Sequence, residues 1–324
     1  MLWQPQRCFS YLRAPPASSQ EVKYLCRCMQ HKLQSTTRSI EEHRDIMSAM
    51  LKTLYLFTKS DFKSILLPIM FFACAGAGSL HYVQVFRAFF WTWMYLLQFC
   101  VSNQSLCPEE DAQNKPFRPI PSGHITIEQA RRVRWVLIPV CLAVSTCCGV
   151  LVPGITLTIH FILHNELRLD ANWITRNVLN ALGYCAFDSG ASGIVDVDAS
   201  SHSATATARH LSFMIILTTI HAQDFRDEAG DRNEGRETIP IVMPAAGRLS
   251  MPVTLLFWSL VLTVGWCRNI ILGATLIGLG VLVGSRFYFV RNPAADRTSY
   301  LLYNLWLTLA RIVPLITTAG LGKA

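Results

Sequence analysis

Charge is scarce in this chain: Asp, Glu, Lys and Arg make up 15% of its 324 residues, against about 25% in soluble globular proteins. With 51% of the residues hydrophobic, a single soluble domain of this length is disfavoured. The first 50 residues contain no long apolar run, which excludes a cleaved secretory signal. Metal-binding and redox cysteine spacings are also missing. Neither Cys26-Arg27-Cys28 nor Cys147-Cys148 has one, so the 11 cysteines are expected to be small apolar packing residues. No basic stretch carries the interleaved aromatics of RNA or DNA modules. The formal charge of +8 therefore points to membrane orientation and lipid contact, with no nucleic acid as partner.

The apolar residues are collected in nine runs, at about 64–82, 84–102, 135–152, 155–166, 178–195, 211–223, 252–268, 269–290 and 300–319. Most approach the ~20 residues needed to cross a bilayer. They predict an all-α integral membrane protein of nine transmembrane helices, in two four-helix-type halves around a central cavity. Pro153-Gly154 divides the third run from the fourth, and Asn269 the seventh from the eighth. With the N-terminus cytoplasmic, 24 of the 29 Lys and Arg residues fall on the cytoplasmic side, as the positive-inside rule requires. Residues 1–50, rich in Arg, Ser and Gln, are expected to form a disordered cytoplasmic tail ahead of a membrane domain at 51–324. The endoplasmic reticulum is the expected membrane. Arg7 and Arg13, in a first stretch of 20 residues without acids, leave a mitochondrial membrane as the alternative. The polar stretch from Asp196 to His210 reads as an insertion that leaves the sixth run short.

Nine of the 21 acidic residues lie in two windows at the cytoplasmic ends of the second and sixth runs. One window begins at Asn103 and passes through Cys107-Pro108-Glu109-Glu110-Asp111 to Lys115 and Arg118. The other contains Asp224, Asp227, Asp231 and Arg232. On a helix Asp224, Asp227 and Asp231 would share one face. Like charges so placed repel unless a cation joins them, and oxygen ligands with open coordination positions suit Mg²⁺ held jointly with phosphate. Asn103 and Asp111 lie eight residues apart, although Pro108 is expected to break the helix between them. The windows align at an offset of 120 residues, Asn103 on Gln223 and Asp111 on Asp231, as a repeat facing one cavity would. Facing oxygen clusters flanked by Lys115, Arg118 and Arg232 suit a diphosphate. An apolar cavity beneath would take a hydrocarbon tail, so a prenyl diphosphate combines both requirements.

These windows resemble the UbiA superfamily of intramembrane prenyltransferases, whose patterns are NDxxDxxxD after the second helix and DxxxD after the sixth. Asn103 and Asp111 match the first pattern, Asp227 and Asp231 the second, and the resemblance covers roughly residues 50–320. It implies that these acids hold Mg²⁺, bind the diphosphate and promote ionisation to an allylic carbocation, with Asp111, Asp227 and Asp231 catalytic. Arg176, before the fifth helix, would reach the phosphates as a third cytoplasmic element. Gln104 and Cys107 stand where the family has Asp, and Glu110 is the candidate spare ligand. The run Leu56 to Lys63 and the NQ…EED…NKPFRP form are similar to a fungal branch containing membrane-bound terpene cyclases. Two outcomes stay open, cyclisation of a C15 prenyl cation to a sesquiterpene and transfer to an aromatic or other lipophilic acceptor. A transporter with an acidic mouth would explain the helices but not the matched acids.

Charged residues inside runs are functional candidates by default. Asp188 is a cavity candidate, with an Asp188–Arg311 ion pair between helices as the alternative. His160 and His164 have the spacing of two metal ligands, but no third ligand is near in sequence, and packing is the alternative. Some of Trp91, Trp93, Tyr95, Phe161, Phe187, Trp258 and Trp306 are expected to line the cavity, where ring faces stabilise a cation.

Overall fold

The computed structural model describes residues 19–196 and 202–319, which are helical with short connections and contain no strand. The chain divides into two compact units, residues 1–52 and 53–324. Helix α1 (Ser19–Thr58) occupies most of the segment expected to be disordered. From Ser19 to Thr58 the sequence is rich in helix formers and has neither Pro nor Gly, and an Arg38–Glu42 pair at 3.3 Å supports one turn of the helix. Its described side chains up to Lys52 are exposed. Arg7 and Arg13 lie outside the described residues.

The larger unit begins with the last residues of α1, followed by a π-helical turn at Phe62–Leu66, α2 (Leu67–Gly76), α3 (Tyr82–Leu106), the short α4 (Pro108–Asn114) and α5 (Ile127–Cys147). Next come α6 (Leu151–Phe161), a π-helical turn at Ile162–Glu166, and α7 (Trp173–Val195). After α8 (His202–Thr219), a 3-10 segment at Ile220–Arg226 leads to the short α9 (Glu228–Asn233) and α10 (Ile239–Val242). Three long helices finish the described chain, α11 (Pro244–Trp266), α12 (Ile270–Phe289) and α13 (Pro293–Ala319).

Each expected apolar run falls on a helix. Among the described residues, Pro244–Trp266, Ile270–Phe289 and Pro293–Ile316 are long and apolar enough to cross a membrane. Asn269 does punctuate α11 and α12: its side chain accepts from the backbone N–H groups of Ile271 and Leu272. Pro153-Gly154, by contrast, lies inside α6. The break comes earlier, at Gly149, whose φ of 75° suits a residue without a side chain. The stretch 196–210 is corrected too. Residues 197–201 lie outside the described residues, but from His202 the polar segment is the start of α8, with Thr205 and Ala208 buried and Arg209 donating to Ser189 at 2.7 Å. Small residues let this turn approach α7 closely.

Close approach also fixes α3 against α7. A Cβ added at Gly190 would sit 2.1 Å from the ring of Trp91, and that ring is fully buried and donates to Ser145 at 2.8 Å. Gly190→Ala is therefore expected to cost about 1–3 kcal/mol as an overpacked core does, read as a lower unfolding temperature of the detergent-extracted protein. An unchanged midpoint would show that Trp91 has room to move.

Candidate active site

One cavity collects most of the chemistry. From the two acidic windows it is lined by Asn103, Lys115, Arg118, Asp227 and Asp231, and from the helix interiors by Phe99, Phe161, Tyr184 and Phe187. Charged groups and ring faces thus border the same space. Of the aromatics expected there, Phe161 and Phe187 line it, whereas Trp91, Trp93, Tyr95, Trp258 and Trp306 are not among its lining residues.

The second window does not form one continuous helix. The 3-10 segment carries Asp224, the backbone breaks at Asp227 (φ −106°, ψ 5°), and α9 carries Asp231. The Asp231 N–H still donates to the Asp227 carbonyl at 3.0 Å, which keeps both residues on the cavity. Asp224 turns elsewhere: it is 1% exposed and accepts from Arg176 Nε at 3.1 Å, while its Oδ2 is buried with no hydrogen-bond partner among the described residues. Burial raises its carboxyl pKa to about 7 against the pull of Arg176. Asp227 goes the other way. Burial would raise it, but Lys115 and Arg226 outweigh burial and hold it below its ordinary value, with Lys115 Nζ at 3.9 Å and Arg226 Nε at 3.2 Å.

In the first window α3 ends at Leu106 and Pro108 opens α4, which packs against α9. Asn103 lines the cavity. Asp111 is buried, bound to Arg118 Nη1 at 2.5 Å, and lies off the cavity lining. Gln104 donates to the Phe57 carbonyl at 2.8 Å and is 1% exposed, so it ties α3 to the end of α1. The side chain of Glu110 lies outside the described residues.

Two arginines organise the acids in parallel ways. Arg118 bridges Asp111 and, at 3.7 Å, Asp61. Arg236 bridges Asp231 at 2.9 Å and Asp170 at 3.0 Å, and one of its amino groups stands 3.7 Å from Cys107 Sγ. The cysteine in the place of an acid thus faces a guanidinium. Arg236 takes the place expected for Arg232, which is exposed and pairs with Glu228 at 3.0 Å. One residue past Asp231 a helix has turned by about 100°, so Arg232 points outward, whereas Gly235, at φ 68°, turns the chain back. Arg236, Arg226, Asp170 and Asp61 were not singled out from sequence. The Gly235-Arg236 pair following the acids is the signal that marks the first of them.

Asp188 is not a cavity residue. Both its oxygens take hydrogen bonds from Arg311 Nη2 at 2.5 Å, and neither side chain is exposed. Arg311 also lies over the rings of Phe72 and Tyr184. Removing either partner leaves a buried charge, at a cost of about 3–5 kcal/mol. Exchanging the two charges is expected to retain more folded protein than Asp188→Ala or Arg311→Ala alone. Equal loss in all three variants would reject the pair as a stabilising unit.

The profile of the UbiA prenyltransferase family matches residues 65–308. The chain belongs to this family. It is 32% identical to the fumagillin beta-trans-bergamotene synthase of Aspergillus fumigatus over 82% of this chain and 93% of that one. It is 26% identical to the somaliensene A/B synthase of Streptomyces somaliensis over 87% and 99%. Its fold matches that of a UbiA homologue from Archaeoglobus fulgidus bound to GPP and Mg²⁺, at a TM-score of 0.58 and 14% identity, covering 82% of this chain and 99% of that one. The protein is accordingly a membrane enzyme of the UbiA superfamily with terpene synthases among its relatives.

The oxygen donors of this UbiA site fit a metal shared with a substrate. Among the described residues no three His, Cys, Asp or Glu side chains stand together as a set that could hold a metal ion by themselves. Asn103, Asp227 and Asp231 instead open onto the cavity, the kind of partial oxygen set that suits Mg²⁺ completed by water and phosphate.

Proposed function

We propose that this UbiA enzyme ionises farnesyl diphosphate with Mg²⁺ and closes the resulting cation to a sesquiterpene without an acceptor. The observation that carries the reading is the single cavity in which Asp227, Asp231, Lys115, Arg118 and Arg236 stand beside Phe99, Phe161 and Phe187. Asn103, Asp227 and Asp231 would hold the metal, with Asp111, Asp224 and Glu110 as further members of the acid set. Bound there, Mg²⁺ would neutralise charge on the departing diphosphate. Lys115, Arg118, Arg176 and Arg236 offer cations to the phosphate oxygens. The rings offer their faces to the carbocation, in a space that must exclude water for the cation to survive.

Cyclisation is favoured over transfer by the relatives named as terpene synthases, one of them 32% identical. Transfer to a lipophilic acceptor is the second reading, supported by the family's description as prenyltransferases. The same proposal has nine helices crossing the endoplasmic reticulum membrane from a cytoplasmic N-terminus. Its support is the charge asymmetry and the exposed apolar side chains of α11 and α12, among them Phe257, Val264, Ile271 and Phe289.

The test is to incubate membranes carrying the protein with farnesyl diphosphate and Mg²⁺, without acceptor, and analyse the extract by gas chromatography with mass detection. A new fifteen-carbon hydrocarbon that disappears with chelator is expected. Unchanged substrate alone would rule out cyclisation of farnesyl diphosphate.

A further inference from the structure

Two imidazoles line the cavity, His160 and His164, one helical turn apart with ring centroids 5.9 Å from each other. The described residues include no metal cluster that would use them. His164 sits on the π-helical turn Ile162–Glu166, an irregularity common at functional sites. Glu166 anchors that turn, accepting from Ser102 at 3.2 Å and pairing with Arg134 at 2.9 Å.

The hydrogen bonds around His164 define which nitrogen is free. Asn165 donates through Nδ2 to the Phe99 carbonyl at 3.5 Å, so its Oδ1 faces His164 Nδ1 at 2.9 Å and Asn103 Nδ2 at 3.5 Å. An amide oxygen only accepts, so Nδ1 carries the ring proton and Nε2 keeps its lone pair. No hydrogen bond engages that Nε2 among the described residues. The ring is 4% exposed and stands 5.3 Å from the centroid of Phe99. A neutral base is thus held beside the ring faces, where a hydrocarbon cation would rest.

We infer that His164 Nε2 is the base that ends the reaction, a role that rests on the cyclase reading. Ionisation breaks the allylic C–O bond, and the diphosphate leaves with the electron pair. After ring closure the final cation loses a proton from the carbon next to its charge. That proton passes to Nε2, the C–H pair becomes the last C=C bond, and nothing is oxidised or reduced. The imidazolium then passes the proton to the departing diphosphate, giving a hydrocarbon and hydrogen diphosphate as the net products. Asn165 is a positioning residue that sets the tautomer.

The experiment quantifies hydrocarbon and pyrophosphate together in membranes carrying the wild-type protein, His164→Asn or His164→Phe, given farnesyl diphosphate and Mg²⁺. In both variants the wild-type hydrocarbon product formed per pyrophosphate is expected to fall at least about tenfold, below the ~10²-fold or more of a positioned base because diphosphate also accepts protons. Alcohols from water capture or isomeric olefins should make up the difference. An unchanged ratio overturns the assignment. So does loss of pyrophosphate release in both variants at normal yield of extracted protein, since His164 would then act before ionisation. If the wild-type protein releases pyrophosphate but forms no hydrocarbon, the cyclase reading itself fails, in a result that owes nothing to His164.

Discussion

Asp231→Asn is expected to lower pyrophosphate release from farnesyl diphosphate by about 10³-fold, at the upper end of what removing one preorganised electrostatic group does at a transition state. Asp231 has no exposed surface, lines the cavity and pairs with Arg236 at 2.9 Å. Asn preserves its volume but not its charge, so attraction for a cation shared with the diphosphate is lost while packing is kept. Asp227→Asn should behave alike, because Asp227 faces the same space between Lys115 and Arg226. Glu228→Gln supplies the comparison: this acid of the same window is 40% exposed and pairs outward with Arg232, so release should stay within about twofold, as surface pairs contribute little. Pyrophosphate release would be measured in membranes normalised to protein amount. Turnover near wild type in Asp231→Asn would remove the acid cluster from the mechanism.

Arg236→Ala carries the second large effect, on both stability and turnover. Arg236 is 5% exposed and its guanidinium joins two buried carboxylates, Asp231 and Asp170. Deleting it leaves both without this partner, for an expected loss of about 3–5 kcal/mol, seen as a lower unfolding temperature in detergent. Turnover should fall by about 10²-fold or more, because a charged group facing the diphosphate is lost as well. Arg236→Lys separates the two effects. An ammonium restores the charge but cannot reproduce the planar fork that spans both acids, so it should regain part of the turnover with little of the stability. Wild-type stability and turnover in Arg236→Ala would reduce the residue to a bystander. Since Asp231 and Arg236 touch, their effects should not add in the double variant.

The helices and the acid windows were legible because both are local. A run of apolar residues registers its cost in water wherever it is placed, and Asp227 and Asp231 carry their spacing with them. Pro108 predicted the end of α3 for the same reason, as a residue that cannot continue a helix. Arg232 and Arg236 were not separable by spacing, since which one turns inward depends on the left-handed turn at Gly235. The tail shows the opposite failure. Its polar composition suggested disorder, while the absence of Pro and Gly from Ser19 to Thr58 permitted the helix that forms there.

Composition, apolar runs and two short acidic windows by themselves determined a helical membrane protein with a diphosphate-type site, since burial and charge neutralisation follow from residue type, and the family was legible through the resemblance of those windows to the UbiA patterns. Tertiary structure decided which charges meet. Arg176 reaches Asp224 across 48 positions of chain, Asp188 meets Arg311 across 123, and Asn165 holds the ring of His164 on the cavity wall in one tautomer. Each of these arrangements depends on how helices pack: two charges inside apolar runs made Asp188–Arg311 a candidate pair, but only packing chose it over a cavity role for Asp188.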